Sequence, residues 1–132
     1  MGGILATEKV ASAFVPGDHG TTFGGGPLVC AAANAVLDEI LAEDILDNVN
    51  EVGDYFVEEL KKLDKEIIAD VRGKGLMVGL ELTEPGAEYV DKLREKGFLI
   101  NCTADKVLRF VPPLIITKED IDEFVKALDE TL

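Results

Sequence analysis

Hydrophobic positions change period several times along the chain, and each change marks an element. Leu28, Ala31, Ala32, Ala35, Val36 and Ile40 recur at three-to-four spacing, which predicts a helix whose alanine-rich stripe packs closely on another element. Pro27 stands at its first position, where a missing N–H leaves no helical bond unmade. A second helical stripe runs through Ile45, Val49, Val52, Phe56, Leu60 and Leu63, with an acidic and lysine-rich opposite face and Asp44 and Asp47 placed to favour its start. The period then shortens. Ile67–Val71 and Leu76–Leu82 are β-prone runs on either side of Arg72-Gly73-Lys74-Gly75, a pattern that predicts a hairpin with a glycine turn. Thr83 is expected to cap the next helix, with Pro85 in its first turn, Ala87, Val90 and Leu93 as its stripe and Gly97 as its left-handed end. Strands are expected near Phe98–Asn101 and Val107–Phe110, the second stopped by Pro112-Pro113. Thr117 with Asp120 forms a capping box for a last helix that buries Ile121, Phe124, Val125 and Leu128.

This order, helix, helix, hairpin, helix, strand, strand, helix, does not make a regular βαβ series. It predicts an α+β fold: a mostly antiparallel sheet of about four strands with helices on one face. Residues 1–26 read differently, because Ile4-Leu5-Ala6 resembles a severed strand that leads into a loop rather than a partner. A length of 132 residues accommodates a small domain, 27–132, together with a piece of another, 1–26.

Composition narrows the partners. The formal net charge is −13, from 13 basic and 26 acidic residues, and such a field repels phosphate backbones and anionic lipid, so neither nucleic acid nor a membrane surface is expected. No apolar run nears the roughly 20 residues of a bilayer span, and the start lacks a secretion-signal layout. The expected location is cytoplasmic. Cys30 and Cys102 have no neighbouring Cys or His at ligand spacing, so they are expected to be buried free thiols rather than a metal site.

Two features carry candidate chemistry. The loop Val15 to Gly26 is rich in glycine and enters a helix, so its N–H groups and the Thr21 and Thr22 hydroxyls suit a phosphate or carboxylate. A flexible inter-domain connection has the same composition, and the loop matches neither a P-loop nor a Rossmann fingerprint. Arg109 lies in an apolar strand and by alternation shares a face with Val107 and Val111. Its guanidinium fork matches a carboxylate, which is either that of a substrate or that of a structural acid. His19 has no nucleophile to serve and reads as a loop residue, and the paired helical carboxylates read as solvated faces.

His19-Gly20-Thr21-Thr22-Phe23-Gly24-Gly25, followed by Pro27-Leu28 and the alanine-rich helix, resembles a signature segment of the class III aminotransferases. Val71-Arg72-Gly73-Lys74-Gly75-Leu76-Met77 with Gly79-Leu80-Glu81-Leu82 resembles that family's hairpin, and Asn101 through Val107-Leu108-Arg109-Phe110 to Pro112-Pro113-Leu114 its last strand and exit. The likeness is closest to the acetylornithine aminotransferases. It implies pyridoxal 5'-phosphate as cofactor, amino acid and 2-oxo acid substrates, a homodimer with shared active sites, and a small carboxy-terminal domain preceded by a remnant of the large one. It matches Thr22 to the residue that binds the cofactor phosphate of the neighbouring subunit, Thr21 to a substrate contact, and Arg109 to the holder of the substrate α-carboxylate. Gly26 stands where that family carries Asn. The family's Schiff-base lysine lies upstream, none of the present lysines matches it, and so no catalytic residue and no covalent cofactor link are expected within these 132 residues.

Three functions follow as expectations: an aminotransferase segment inactive by itself, a stand-alone structural module, or a sensor of small carboxylates. Self-association through the alanine-rich helix is expected in the first case.

Overall fold

A computed structural model describes residues 2–42 and 44–132. Two compact units divide the chain, Met1–Ala42 and Glu43–Leu132. The first holds helices α1 (Glu8–Ala11) and α2 (Pro27–Ala42). The second holds α3 (Ile45–Lys61), β1 (Ile68–Lys74), β2 (Met77–Leu82), α4 (Ala87–Glu95), β3 (Asn101–Thr103), β4 (Val107–Phe110) and α5 (Lys118–Asp129).

The four strands form one sheet in the order β1-β2-β4-β3, antiparallel at every pairing. The expected α+β fold is therefore the observed one. Alternation along β2 and β4 sorts side chains cleanly. Val78, Leu80, Leu82, Leu108 and Phe110 are buried, and the residues between them face away. α3, α4 and α5 close the buried face with Val52, Phe56, Leu60, Leu93, Ile121, Phe124 and Leu128. Phe124 meets Phe56, Phe98 and Phe110 edge-on, with ring centroids 5.1 to 5.8 Å apart, the offset geometry that aromatic quadrupoles favour.

Two backbone devices set the hairpin. Gly75 adopts φ +52° in the two-residue turn between β1 and β2, a conformation an L side chain rarely takes. Gly53, buried in α3, lies so close to Gly75 that an added β-carbon would stand 2.5 Å from the Gly75 carbonyl carbon. The helix therefore rests on the turn backbone to backbone.

Several expectations need correction. Ile4-Leu5-Ala6 forms no strand: Gly2–Thr7 has no regular structure, Ile4 and Leu5 are fully exposed, and the one nearby element is the short α1. Thr83 does not cap α4. Its N–H donates to the Ile67 carbonyl, which continues the sheet edge, and Gly86 stands at the N-cap instead. The strand expected at Phe98–Asn101 is shifted to Asn101–Thr103, with Phe98 turned toward the core. Cys30 and Cys102 are free, as expected, but only half-buried. None of α2's residues is buried, and Leu28 and Leu41 are largely exposed. The capping box at Thr117 and Asp120 is present as read, with both reciprocal bonds made. No helix among the described residues is long and apolar enough to cross a membrane.

Candidate functional site

The face of the sheet turned away from the helices is where polar chemistry collects. Register places Arg72 of β1 opposite Gly79 of β2, Gly79 opposite Arg109 of β4, and Arg109 opposite Asn101 of β3. These four positions form one row across all the strands. The next row reads Asp70, Glu81, Val107 and Thr103. A shallow bay of about 410 Å³ lies over them, lined by Arg72, Met77, Gly79, Thr103, Val107 and Arg109 among others.

The two guanidinium groups in the row differ. Arg72 Nη1 donates to Asp70 Oδ2 at 2.7 Å and to Glu81 Oε2 at 2.6 Å, and these carboxylates push its already high pKa further up, Asp70 first and Glu81 second. Arg109 is exposed and, among the described residues, makes no ion pair. Its surroundings on the face are a glycine, an amide and the apolar Val107 and Val111. Alternation therefore placed Arg109 correctly, and among the described residues no structural acid claims it. A fork-shaped cation that makes no ion pair is suited to a carboxylate that arrives from outside.

Thr21 and Thr22 lie in the other unit, in an exposed loop that turns through residues 22–25 and enters α2 at Pro27. Gly25 has φ +72°, and the Cys30 N–H donates to the Gly26 carbonyl at 3.0 Å, so Gly26 opens the helix through its backbone alone. At Gly24 a β-carbon would fall on the Thr21 methyl group. The loop thus presents two hydroxyls beside bare backbone, the composition that lets an anion approach N–H groups. His19 is an exposed loop residue, as read. Among the described residues no group of His, Cys, Asp or Glu is arranged to hold a metal ion.

A larger groove of about 540 Å³ runs beside Phe98, Leu99, Val111, Pro112, Ile115 and Phe124. Its lining carries no basic side chain, whereas the smaller bay is lined by Arg72 and Arg109. Sequence reading passed over Arg72, Glu81 and Gly79 as site neighbours. Only the strand register reveals them.

The profile of the family described as Aminotransferase class-III matches residues 1–132. An acetylornithine aminotransferase of Aquifex aeolicus is 56% identical over 132 residues, covering 100% of this chain and 34% of the relative. Among solved structures, an ornithine aminotransferase from Plasmodium yoelii superposes with a TM-score of 0.84 at 35% identity, covering 96% of this chain and 35% of the other. An acetylornithine aminotransferase from Elizabethkingia anophelis gives 0.82 at 34% identity, with 96% and 35% covered. The chain spans about a third of the length of the relatives it matches. A full-length family match, reinforced by the fold, makes this chain a member of the class III aminotransferases.

Proposed function

We propose that the chain supplies the carboxy-terminal part of a pyridoxal 5'-phosphate-dependent aminotransferase acting on N-acetylornithine and 2-oxoglutarate, in arginine biosynthesis and in the cytoplasm. The single observation that carries this is Arg109: a guanidinium that makes no ion pair among the described residues, on an open sheet face, in a chain 56% identical to an acetylornithine aminotransferase. Arg109 holds the α-carboxylate of amino acid and 2-oxo acid alike. Thr22 donates to the cofactor phosphate of the neighbouring subunit of a homodimer, and Thr21 lies against the substrate. The hydroxyls and bare backbone of the 22–25 turn fit a phosphate monoester, and the cofactor when bound supplies the electron sink for breaking the α-carbon bond. Proton transfer and covalent attachment belong to a lysine outside the matched motifs, so these 132 residues by themselves do not turn over.

Exposed apolar positions on α2 support self-association or docking onto the large domain. The test is a chimaera joining this chain to the preceding part of the Aquifex aeolicus relative. The chimaera is expected to transaminate N-acetylornithine, and Arg109→Ala to lower kcat/KM by about a hundredfold or more, the loss typical of a charge-assisted contact to substrate. The 132-residue chain assayed alone is expected to show neither turnover nor a borohydride-trapped cofactor. Equal activity of the Arg109→Ala chimaera would remove the proposal's foundation.

A further inference from the structure

The open face carries two arginines and two nearby acids, and the register decides which of them meet. Glu81 lies opposite Val107, and Val107 precedes Arg109 by two positions on the same face. Glu81 is thus the diagonal neighbour of Arg109, at a spacing of about 7 Å that long side chains bridge. Between them stands Gly79, which has no side chain to obstruct the way. Arg72, on the far side of Gly79, holds the Glu81 carboxylate at 2.6 Å and the Asp70 carboxylate at 2.7 Å. Exposed pairs of this kind add little to folding stability. Their effect on neighbouring groups is larger, because a tethered carboxylate competes for a cation at an effective concentration of roughly millimolar or more.

We infer that Arg72 is a positioning residue: by engaging Glu81 it keeps an internal acid off Arg109 and leaves that guanidinium open to a small-molecule carboxylate. The inference rests on the reading of Arg109 as the substrate-carboxylate holder. It adds that the selectivity of this site for external over internal anions is built by the neighbouring arginine. Lys74, the other cation of β1 on this face, is at the opposite end of the hairpin from Glu81. Lys106, the last residue of the β3–β4 turn, donates to the Thr83 carbonyl at 2.7 Å. When Arg72 is lost, Glu81 turns to Arg109.

The deciding experiment uses the 132-residue chain at low ionic strength, where exposed charges are least screened. The Arg109 Nε–Hε cross-peak and its exchange with water are followed by NMR in the wild type, Arg72→Met, and Arg72→Met with Glu81→Gln. Arg72→Met is expected to shift the Arg109 signal and slow its exchange by about two- to fivefold, the equivalent of one exposed ion pair. Adding Glu81→Gln is expected to return both to wild-type values, as is the charge-preserving Arg72→Lys. Arg72→Gln serves as a second deletion of the charge and must reproduce the pattern. An Arg109 signal identical in all variants overturns the inference, and so does a change that persists in the double variant, because a general disturbance of the sheet needs no Glu81. Failure of the parent reading is distinguishable: it appears as full activity of the Arg109→Ala chimaera, whatever the NMR comparison gives.

Discussion

Replacing Gly53 with alanine tests whether the contact between α3 and the hairpin turn is as tight as it looks. Helix propensity alone favours the change, since alanine in mid-helix is better than glycine by about 0.5–1 kcal/mol. Packing opposes it. The new β-carbon would fall on the Gly75 carbonyl oxygen, 2.5 Å from the carbonyl carbon and 2.9 Å from Cα, whereas carbon atoms sit comfortably at about 3.5–4 Å. The obstacle is backbone on both sides, so no rotamer change relieves it; helix and turn must separate by roughly 1 Å. Overpacking of this kind costs about 1–3 kcal/mol and occasionally more. With the propensity gain subtracted, Gly53→Ala is expected to destabilise the second unit by roughly 1 kcal/mol. With a urea slope of about 2 kcal/mol/M, the midpoint falls by about 0.5 M. Tyrosine fluorescence is a clean probe, because the chain has no Trp and both tyrosines, Tyr55 and Tyr89, lie in this unit. A midpoint equal to or above the wild type would show that α3 yields freely, and the reasoning would fail.

Thr117→Ala removes the hydroxyl that accepts from the Asp120 N–H at 3.2 Å and donates to its carboxylate at 2.7 Å; a midpoint drop corresponding to about 1 kcal/mol is expected in the same urea assay. The Thr117 hydroxyl and then its backbone N–H hold the Asp120 carboxyl below its ordinary pKa. That contribution is complete above the unfolded value and is lost as pH falls through the folded one, so the gap between wild type and variant should narrow below about pH 4. Tyr55 donates to Asp122 at 2.5 Å and Tyr89 to Glu84 at 2.7 Å, and these carboxylates push each phenol up to about 12. The folded chain should show no tyrosinate absorbance near pH 10. The hydrogen bonds stabilise the fold fully below the unfolded phenol pKa and are lost as pH rises through the folded one, so appearance of the absorbance at pH 10 in folded protein would contradict the geometry.

What was legible in the sequence is what depends on near neighbours. The capping box follows from two residues three apart, β4 from its alternation and the following prolines, and the hairpin from its glycines. Misreadings arose where a distant partner decides. Thr83 has the chemistry of a cap, but its N–H is taken by Ile67, sixteen residues earlier, and the next N-cap position falls to Gly86. Ile4-Leu5-Ala6 has strand character, yet a strand exists only against another, and none meets it among the described residues. The half-burial of Cys102 likewise reflects its place in β3 at the sheet edge, which composition cannot convey.

The site shows the same division at finer grain. Alternation along one strand put Arg109 on a face with Val107 and Val111, but whether an acid waits there depends on β2, whose register is set by the hairpin. That register follows from a two-residue turn that needs Gly75 at positive φ, and the turn is held where Gly53 lets α3 touch it. A slip of one residue in β2 would turn Glu81 to the helix side and bring Leu80 to the open face. Two glycines at the contact of helix and turn thus bear on which arginine meets the protein's own acids and which makes no ion pair among the described residues. Gly53→Ala should therefore disturb the Arg109 NMR signal as well as lower the urea midpoint. Loss of stability with an unaltered Arg109 signal would break the proposed link between helix packing and the electrostatics of the open face.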